Sequence, residues 1–286
     1  MHKDLTYALR QFSRARLLSA VVVLLLGIGI GANVLIFSFV NALLLKPLPV
    51  RDPQSLFLLE KRHEKQVRPD TSFSYRQFEV LRQRTDLFSG VAAEQEWAET
   101  NAVPLGEAGG VRLVMTQLVS PNYFSELGVS ASFGRILTEA DATTTSPIPV
   151  VLSYQFWQSE FGGNPNVLGR TIRLKRFPFL VVGVLPRDFH SLDIERAPDV
   201  RMPISAATVL WGHAIEQIDA ERGGTGLQVL ARLRAGVTPA RAAAAVIAPI
   251  QSTEEWETRE LFRSRPDLSQ HNLEANLNYI REYHLA

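Results

Sequence analysis

The side chains that could do acid–base or metal chemistry are present in this chain, but they are scattered. The six histidines, His2, His63, His190, His213, His271 and His284, fall into no H-E-x-x-H pattern and no other metal-ligand spacing. His190 has Asp188 and Asp193 nearby, a grouping that the polarity of a surface loop explains better than a bound metal. Glu94, Glu96 and Glu99 form one acidic cluster, and Glu254, Glu255, Glu257 and Glu260 form another. Charge runs of this kind usually mark a solvated face. There is no G-x-S-x-G elbow and no phosphate-cradling loop. The count of Cys is 0, which excludes thiol catalysis, disulfides and Cys-ligated clusters. Trp97, Trp157, Trp211 and Trp256 read as core or interface residues rather than as a sugar platform. Lys and Arg number 30 against 29 acids, and no basic stripe with interleaved aromatics appears, so nucleic acid is not an expected partner. The expectation is a protein that is not an enzyme and holds no cofactor and no metal.

One motif invites a different reading. Gly27-Ile28-Gly29-Ile30-Gly31-Ala32 matches G-x-G-x-x-A, the letters of a dinucleotide fingerprint. That fingerprint needs a soluble βαβ unit and an acid about 20 residues further on. Here uncharged apolar residues follow instead, and position 47 is Pro. The glycines belong to a different element. From Leu17 to Leu45 no residue is charged, a run of roughly 29 residues where about 20 suffice to cross a bilayer. At a rise of ~1.5 Å per residue the helix is about 43 Å long, so it tilts or protrudes. A cleaved signal peptide has an apolar region of only about 7–15 residues and ends in small residues. This run ends in Leu43-Leu44-Leu45-Lys46-Pro47, so an uncleaved anchor is expected. In that setting Gly27 and Gly31 make a small-xxx-small surface for close helix packing. Asn33 and Asn41 are polar within the span; Asn33 can hydrogen-bond to neighbouring helices, and Asn41 can do so or sit at the interface.

Lys3, Arg10, Arg14 and Arg16 precede the span, with Asp4 the only acid, whereas Lys46 and Arg51 follow it with Asp52. The basic excess puts the N-terminus in the cytoplasm and everything from Lys46 onward outside. Within residues 1–16, Leu5, Ala8, Leu9 and Phe12 recur at helical spacing. This stretch is either an amphipathic helix on the inner membrane face or the helical start of the span itself.

The exported part reads as α+β. Ser55–Lys61 is a strand, Tyr75–Arg84 a helix capped by Ser74, and Phe88–Trp97 a second strand, giving β-α-β. Val111–Val119 is a strand, and a short helix then runs to Leu127 and stops at Gly128. Residues 141–149 form a loop, Val150–Leu152 a buried strand, and Ser153 caps a helix ended by Gly162-Gly163. Arg170–Leu174 and Phe179–Leu185 form a hairpin. Leu227–Leu233 is a strand, and Thr238-Pro239 opens a helix that Pro249 ends or kinks. Residues 253–286 read as a polar, partly helical tail.

These stretches carry a family likeness. The opening DLTYALRQFSRARLLSAVVVLLLGIGIGANVLIFSFVNALLLKPLPV resembles the first span of MacB-type ABC transporter permeases, and among them the acidobacterial duplicated orphan permeases. SPNYFSELGVSASFGRILTEAD, VVLSYQFWQSEFGGNPNVLGRTIRL and FLVVGVLPRDF are similar, in kind and order, to the family's periplasmic core domain. The likeness covers roughly residues 4–250 and rests on long, ordered motifs.

The resemblance implies an architecture and a mechanism. Residues 1–16 would be a cytoplasmic amphipathic segment and 17–45 the transmembrane helix. Residues 46–252 would be the periplasmic core domain, with porter-like β-α-β parts over 50–100 and 225–252 and a β-rich lobe inserted over 101–224. In such permeases of the inner membrane a cytoplasmic ABC ATPase binds the permease, and its motion passes through the span to the periplasmic head for efflux or other mechanotransmission. The partners implied are that ATPase, other permease chains and membrane lipid, with a homodimer left open. Members of the family continue into further spans and a C-terminal FtsX-like permease domain, while this sequence holds one span and one head. The expectation is accordingly a truncated or split-gene permease. The alternative is a membrane-tethered periplasmic binding or scaffold protein, or a degenerate fragment, without transport activity.

Overall fold

The computed structural model of the chain describes residues 16–40, 50–64, 66–105, 110–143, 146–189, 197–213, 226–265, 267 and 270–285. Two compact units divide at residue 48: Met1–Leu48 and Pro49–Ala286. In the first, α1 (Arg16–Val40) is a continuous helix of 25 residues. Leu24, Leu25, Leu26, Ile28, Ile30, Leu35 and Phe37 are all exposed along it. The side chains of Leu18, Ser19, Val22, Ile36, Phe39 and Val40 lie outside the described residues. Among the described residues no helix is long and apolar enough to cross a membrane. Of the stretch 17–45, where a span is expected, α1 covers residues 17–40, and residues 41–45 lie outside the described residues.

The second unit is the head. In chain order it comprises β1 (Leu56–Leu58), β2 (Lys61–Arg62), α2 (Tyr75–Arg82), β3 (Phe88–Gln95), β4 (Glu99–Leu105), β5 (Gly110–Val119), α3 (Tyr123–Leu127), β6 (Phe133–Gly134), β7 (Ile148–Leu152), α4 (Tyr154–Phe161), β8 (Thr171–Leu174), β9 (Phe177–Val184), β10 (Val200–Pro203), α5 (Ala206–Trp211), β11 (Leu227–Leu233), α6 (Pro239–Ser264), α7 (Gln270–Glu282) and β12 (His284–Leu285). One mixed sheet runs β1-β11-β3-β5-β10-β7-β9-β6, with β4 added to β5 and β8 to β9. Among the described residues only β5–β10 and β7–β9 pair in parallel. The strands of the expected porter-like parts (β1, β3, β11) and those of the expected inserted lobe (β5 to β10) therefore share a single sheet.

Side chains alternate across this sheet, because successive residues of a strand point to opposite faces. Val91, Ala93, Leu118, Val150, Leu152, Val229 and Ala231 join the larger core with α2, α4, α5 and α6. Their neighbours Ala92, Val119, Val151 and Leu230 join a smaller core under α3 with Phe124, Leu127 and Phe189. Both faces of β7 are covered, which is why its five residues are buried without exception and read as a plain apolar run.

The helix starts follow the capping logic. Ser74 accepts from the Gln77 N–H at 3.0 Å while Gln77 Oε1 accepts from the Ser74 N–H at 2.9 Å, a reciprocal capping box. Ser153 accepts from the Phe156 N–H and Thr238 from the Arg241 N–H.

Three expectations need correction. The strand over Ser55–Lys61 breaks at Leu59–Glu60 because its partner changes. Leu59 N still donates to Val229 of β11, but Lys61 exchanges both backbone bonds with Asp70. Of the two outcomes expected at Pro249, an end or a kink, the end does not occur: the helix opened at Pro239 runs on to Ser264. Proline cannot donate to the carbonyl four residues back, and here Arg84 Nη1 takes that role, donating to Ala245 O at 2.8 Å. Residues 253–286 are no free tail: α7 packs back on α6, Gln251 Nε2 donates to Ile280 O and Tyr283 O, and β12 pairs with β2.

Candidate functional site

Of the residues singled out in the span, Gly27 and Gly31 lie one turn apart on α1, and a side chain at either would meet no atom within 4 Å. Asn33 does not reach outward with its whole amide: Nδ2 donates to Gly29 O of its own helix at 3.0 Å. Asn41 lies outside the described residues. Arg16 begins α1, and its side chain lies outside the described residues together with Lys3, Arg10 and Arg14. His190 and Asp193 lie outside them as well. Among the described residues no group of three or more His, Asp or Glu side chains could hold a metal ion.

Two clusters of buried polar side chains in the head join its elements. The first is the seam between β3 and β5, where the ladder is thin: Glu94 opposite Val119 is its registered pair. Side chains bridge the gap. Gln117 Nε2 donates to Gln95 O at 3.0 Å, the Ala93 N–H donates to Ser120 Oγ at 3.0 Å, and Asn122 Nδ2 donates to Val91 O at 2.8 Å. Glu94, Gln117 and Arg201 stand on three neighbouring strands and share the face under α3. Tyr123 Oη of that helix donates to Glu94 Oε2 at 2.5 Å, and Arg201 Nε donates to Gln117 Oε1 at 3.1 Å. The Arg201 guanidinium also lies 5.3 Å from the centre of the Phe189 ring. Tyr123 and Arg201 are 0% exposed and Glu94 is 1% exposed.

Burial dominates the electrostatics of this cluster. It pushes the Tyr123 phenol well above its ordinary range, and the Glu94 carboxylate adds to the shift. It pulls the Arg201 guanidinium down, against the opposing pull of Tyr123, Glu94 and Asp199. Burial also raises Asp199, although the Met115 N–H donates to its carboxylate at 2.9 Å.

The second place is the joint where α6 and α7 meet α2 and β2. Glu254 Oε2 accepts from Gln77 Nε2 and Tyr283 Oη, each at 2.9 Å, and from Lys61 Nζ at 3.4 Å. Lys61 also pairs with Asp70 at 3.1 Å. Glu257 Oε1 accepts from Ser74 Oγ at 2.8 Å, and His63 stacks on Tyr279 with ring centres 4.6 Å apart. Burial, followed by Glu254, raises the Tyr283 phenol. A cavity of about 230 Å³ lies beside this joint, lined by Glu254, Glu257, Phe262 and Tyr279 among others. The carboxylates here already accept from fixed donors, an arrangement that holds elements together.

The acidic clusters therefore split. Glu254 and Glu257 turn inward, while Glu255 pairs with Arg281 and Glu260 with Arg263 on the outer side. Glu94 is buried, against the solvated-face reading of its cluster. The signal missed was Gln117, a polar residue near the end of β5, in the half of that strand that is buried on both faces. Of the tryptophans, Trp157 is core at 4% exposure, whereas Trp97 and Trp256 are exposed.

The comparisons with known proteins match this architecture. The family model described as the MacB-like periplasmic core domain matches residues 19–248. The periplasmic region of MacB from Actinobacillus actinomycetemcomitans superposes with a TM-score of 0.52 at 16% identity, covering 72% of this chain and 86% of that one. The extracellular domain of the noncanonic ABC-type transporter YknZ from Gram-positive bacteria gives 0.50 at 14% identity, covering 69% and 94%. At these identities the structures speak for the fold. No curated protein sequence matches the chain.

Proposed function

Since the chain belongs to the MacB-like periplasmic core domain family, we propose that it is a permease-type subunit of an ABC export or mechanotransmission complex. In this reading α1 spans the inner membrane, the head stands in the periplasm, and motion from a cytoplasmic ABC ATPase reaches the head through α1. The chain itself hydrolyses nothing. The observation that carries the reading is the reach of the family match, which begins inside α1 at residue 19 and runs through the head to residue 248. The character of α1 supports it. It is one continuous helix over Arg16–Val40, and from Leu17 to Leu45 the sequence carries no charged residue. Its apolar side chains are exposed around the helix, a pattern suited to lipid.

A second reading is a membrane-tethered periplasmic scaffold without transport. One observation favours it: residues past the family match, through α7 and β12, fold back onto the head.

An affinity pull-down of the tagged chain from mild-detergent membranes of its host separates the two. The transport reading expects an ABC ATPase, or a chain supplying further spans, among the bound proteins. Recovery of neither, with the chain present and folded, refutes it. Topology has its own test, because the native chain has no Cys to give background labelling. Val67→Cys, in the head, should react with an impermeant maleimide from the periplasmic side, and Ser13→Cys only after lysis. The reverse pattern would overturn the orientation.

A further inference from the structure

The head begins at a knot of hydrogen bonds around one guanidinium. Arg232 of β11 is 6% exposed and sits opposite Gly90 of β3, at a bulge where the register of the two strands shifts. Its Nε and Nη2 donate to Glu126 O at 3.2 and 2.9 Å, and its Nη1 donates to Asp52 O at 2.9 Å. Nη1 also donates to Ser55 Oγ and Nη2 to Arg51 O. The acceptors are three carbonyls and one hydroxyl. They come from the end of α3 and from residues 51–55, the first stretch of the head.

The same stretch is pinned from other directions. The Arg51 N–H donates to Leu127 O at 2.7 Å. Gly128, at φ 73°, lies so close that a Cβ there would sit 2.4 Å from Arg51 Cβ. A Cβ on Gly90 would sit 2.0 Å from Glu126 Oε2, so glycine at that position leaves room for α3 to approach the sheet. An arginine suits this place because its planar fork offers five N–H donors in fixed directions, whereas a lysine offers three from a single point.

We propose that Arg232 is a positioning residue that clamps the entry segment, residues 51–55, to the β11–β3 pair and to α3, so that the entry and the sheet move as one body. The clamp rests on the reading that α1 passes motion to the head, and it supplies the rigid joint such coupling needs. Without it, displacement arriving at Arg51 would be absorbed by a loose turn.

The test is hydrogen–deuterium exchange on the full chain in lipid nanodiscs, comparing the native protein with Arg232→Gln and Arg232→Lys. Both variants should speed exchange at least tenfold in peptides covering residues 50–58, with β7 and β9 as protected as in the native chain. Native-like protection in the Gln variant overturns the clamp. So does native-like protection in the Lys variant, because charge alone would then suffice. If Arg232→Gln also exposes β7 and β9, Ser55→Ala replaces it. That variant should give a smaller rise confined to residues 51–56, and no rise overturns the proposal. None of these readouts involves an ATPase. A clamp seen in exchange with no ATPase in the pull-down defeats the transport reading alone, and an ATPase recovered with no clamp defeats the clamp alone.

Discussion

Replacing Arg201 with Met tests the seam most directly. The side chain is 0% exposed, donates to Gln117 Oε1 at 3.1 Å, and shares its surroundings with the Glu94 and Asp199 carboxylates. Methionine keeps much of the volume but removes the charge, leaving Glu94, at 1% exposure, without the cation that offsets it. Breaking a buried pair from one side costs about 3–5 kcal/mol. For a head of this size 1 kcal/mol moves Tm by about 2–4 °C, so the expected fall is roughly 6–20 °C. Adding Glu94→Gln should return a large part of it, because the second change removes the stranded charge while Tyr123 Oη keeps an acceptor. The assay is thermal and urea unfolding of the full chain in mild detergent, followed by tryptophan fluorescence. A loss below about 1 kcal/mol in the single variant, or a double variant no more stable than the single, would refute the assignment of the seam to this charge cluster.

Two further outcomes follow from the same contacts. Ser74→Ala removes the capping box of α2 and the 2.8 Å bond to Glu257, so it should cost about 1–2 kcal/mol in the same unfolding assay, with Ser74→Thr recovering part of it. Tyr123 and Tyr283 both have phenols raised in the folded head, the first by burial and then Glu94, the second by burial and then Glu254. A raised folded pKa stabilises fully below the unfolded value near 10, and that contribution is lost as pH climbs from there toward the folded value. Urea midpoints should therefore be insensitive to these two groups below about pH 10 and fall above it, each adding a slope of about 1.4 kcal/mol per pH unit. Tyr123→Phe and Tyr283→Phe should each remove one share of that slope, and an unchanged alkaline slope in both would contradict the burial of the two phenols.

The elements legible in the sequence were those whose signal is local. Ser74, Ser153 and Thr238 are caps followed by apolar periodicity, and all three helices start where those residues place them. The hairpin of β8 and β9 announced itself by β-branched and aromatic content, and the strand β11 by its short apolar run before the turn at Gly236. What escaped was set by partners far along the chain. β4 (ETNAVPL) carries Asn and Pro, poor strand formers, and is held as a strand by its pairing with β5. β10 is four residues long and gains its place between β5 and β7. Pro249 reads locally as a helix end, and the carbonyl that it leaves open, at Ala245, is satisfied by Arg84, 161 residues earlier in the chain. Glu94 and Glu254 look like members of solvated runs because the cation and phenols that bury them come from β10, α3 and the end of the chain.

The seam bears on how the sheet of the head holds together. β1, β11 and β3 come from the segments expected to flank an inserted lobe, and β5, β10, β7, β9 and β6 from the stretch expected to form it; all lie in one sheet. Between β11 and β3 seven residues pair, six of them in one register before the bulge after Arg232, whereas between β3 and β5 the ladder comes down to the pair Glu94–Val119. A junction that thin, left to backbone bonds alone, would let the two halves of the sheet open independently. Its side-chain bonds run in both directions. Gln117, Ser120 and Asn122 bond the backbone of β3, Gln95 Oε1 accepts from the Leu118 N–H of β5, and Tyr123 joins Glu94 from above. Apolar packing resists separation in any register, but directional bonds to a few fixed partners are satisfied in one register only. Here the two measurable quantities differ: Arg201→Met with Glu94→Gln can regain stability and still leave the seam looser. Exchange at Ala93 and Ser120, faster in the stable double variant than in the native chain, would assign the network to holding the halves in register rather than to holding the fold together.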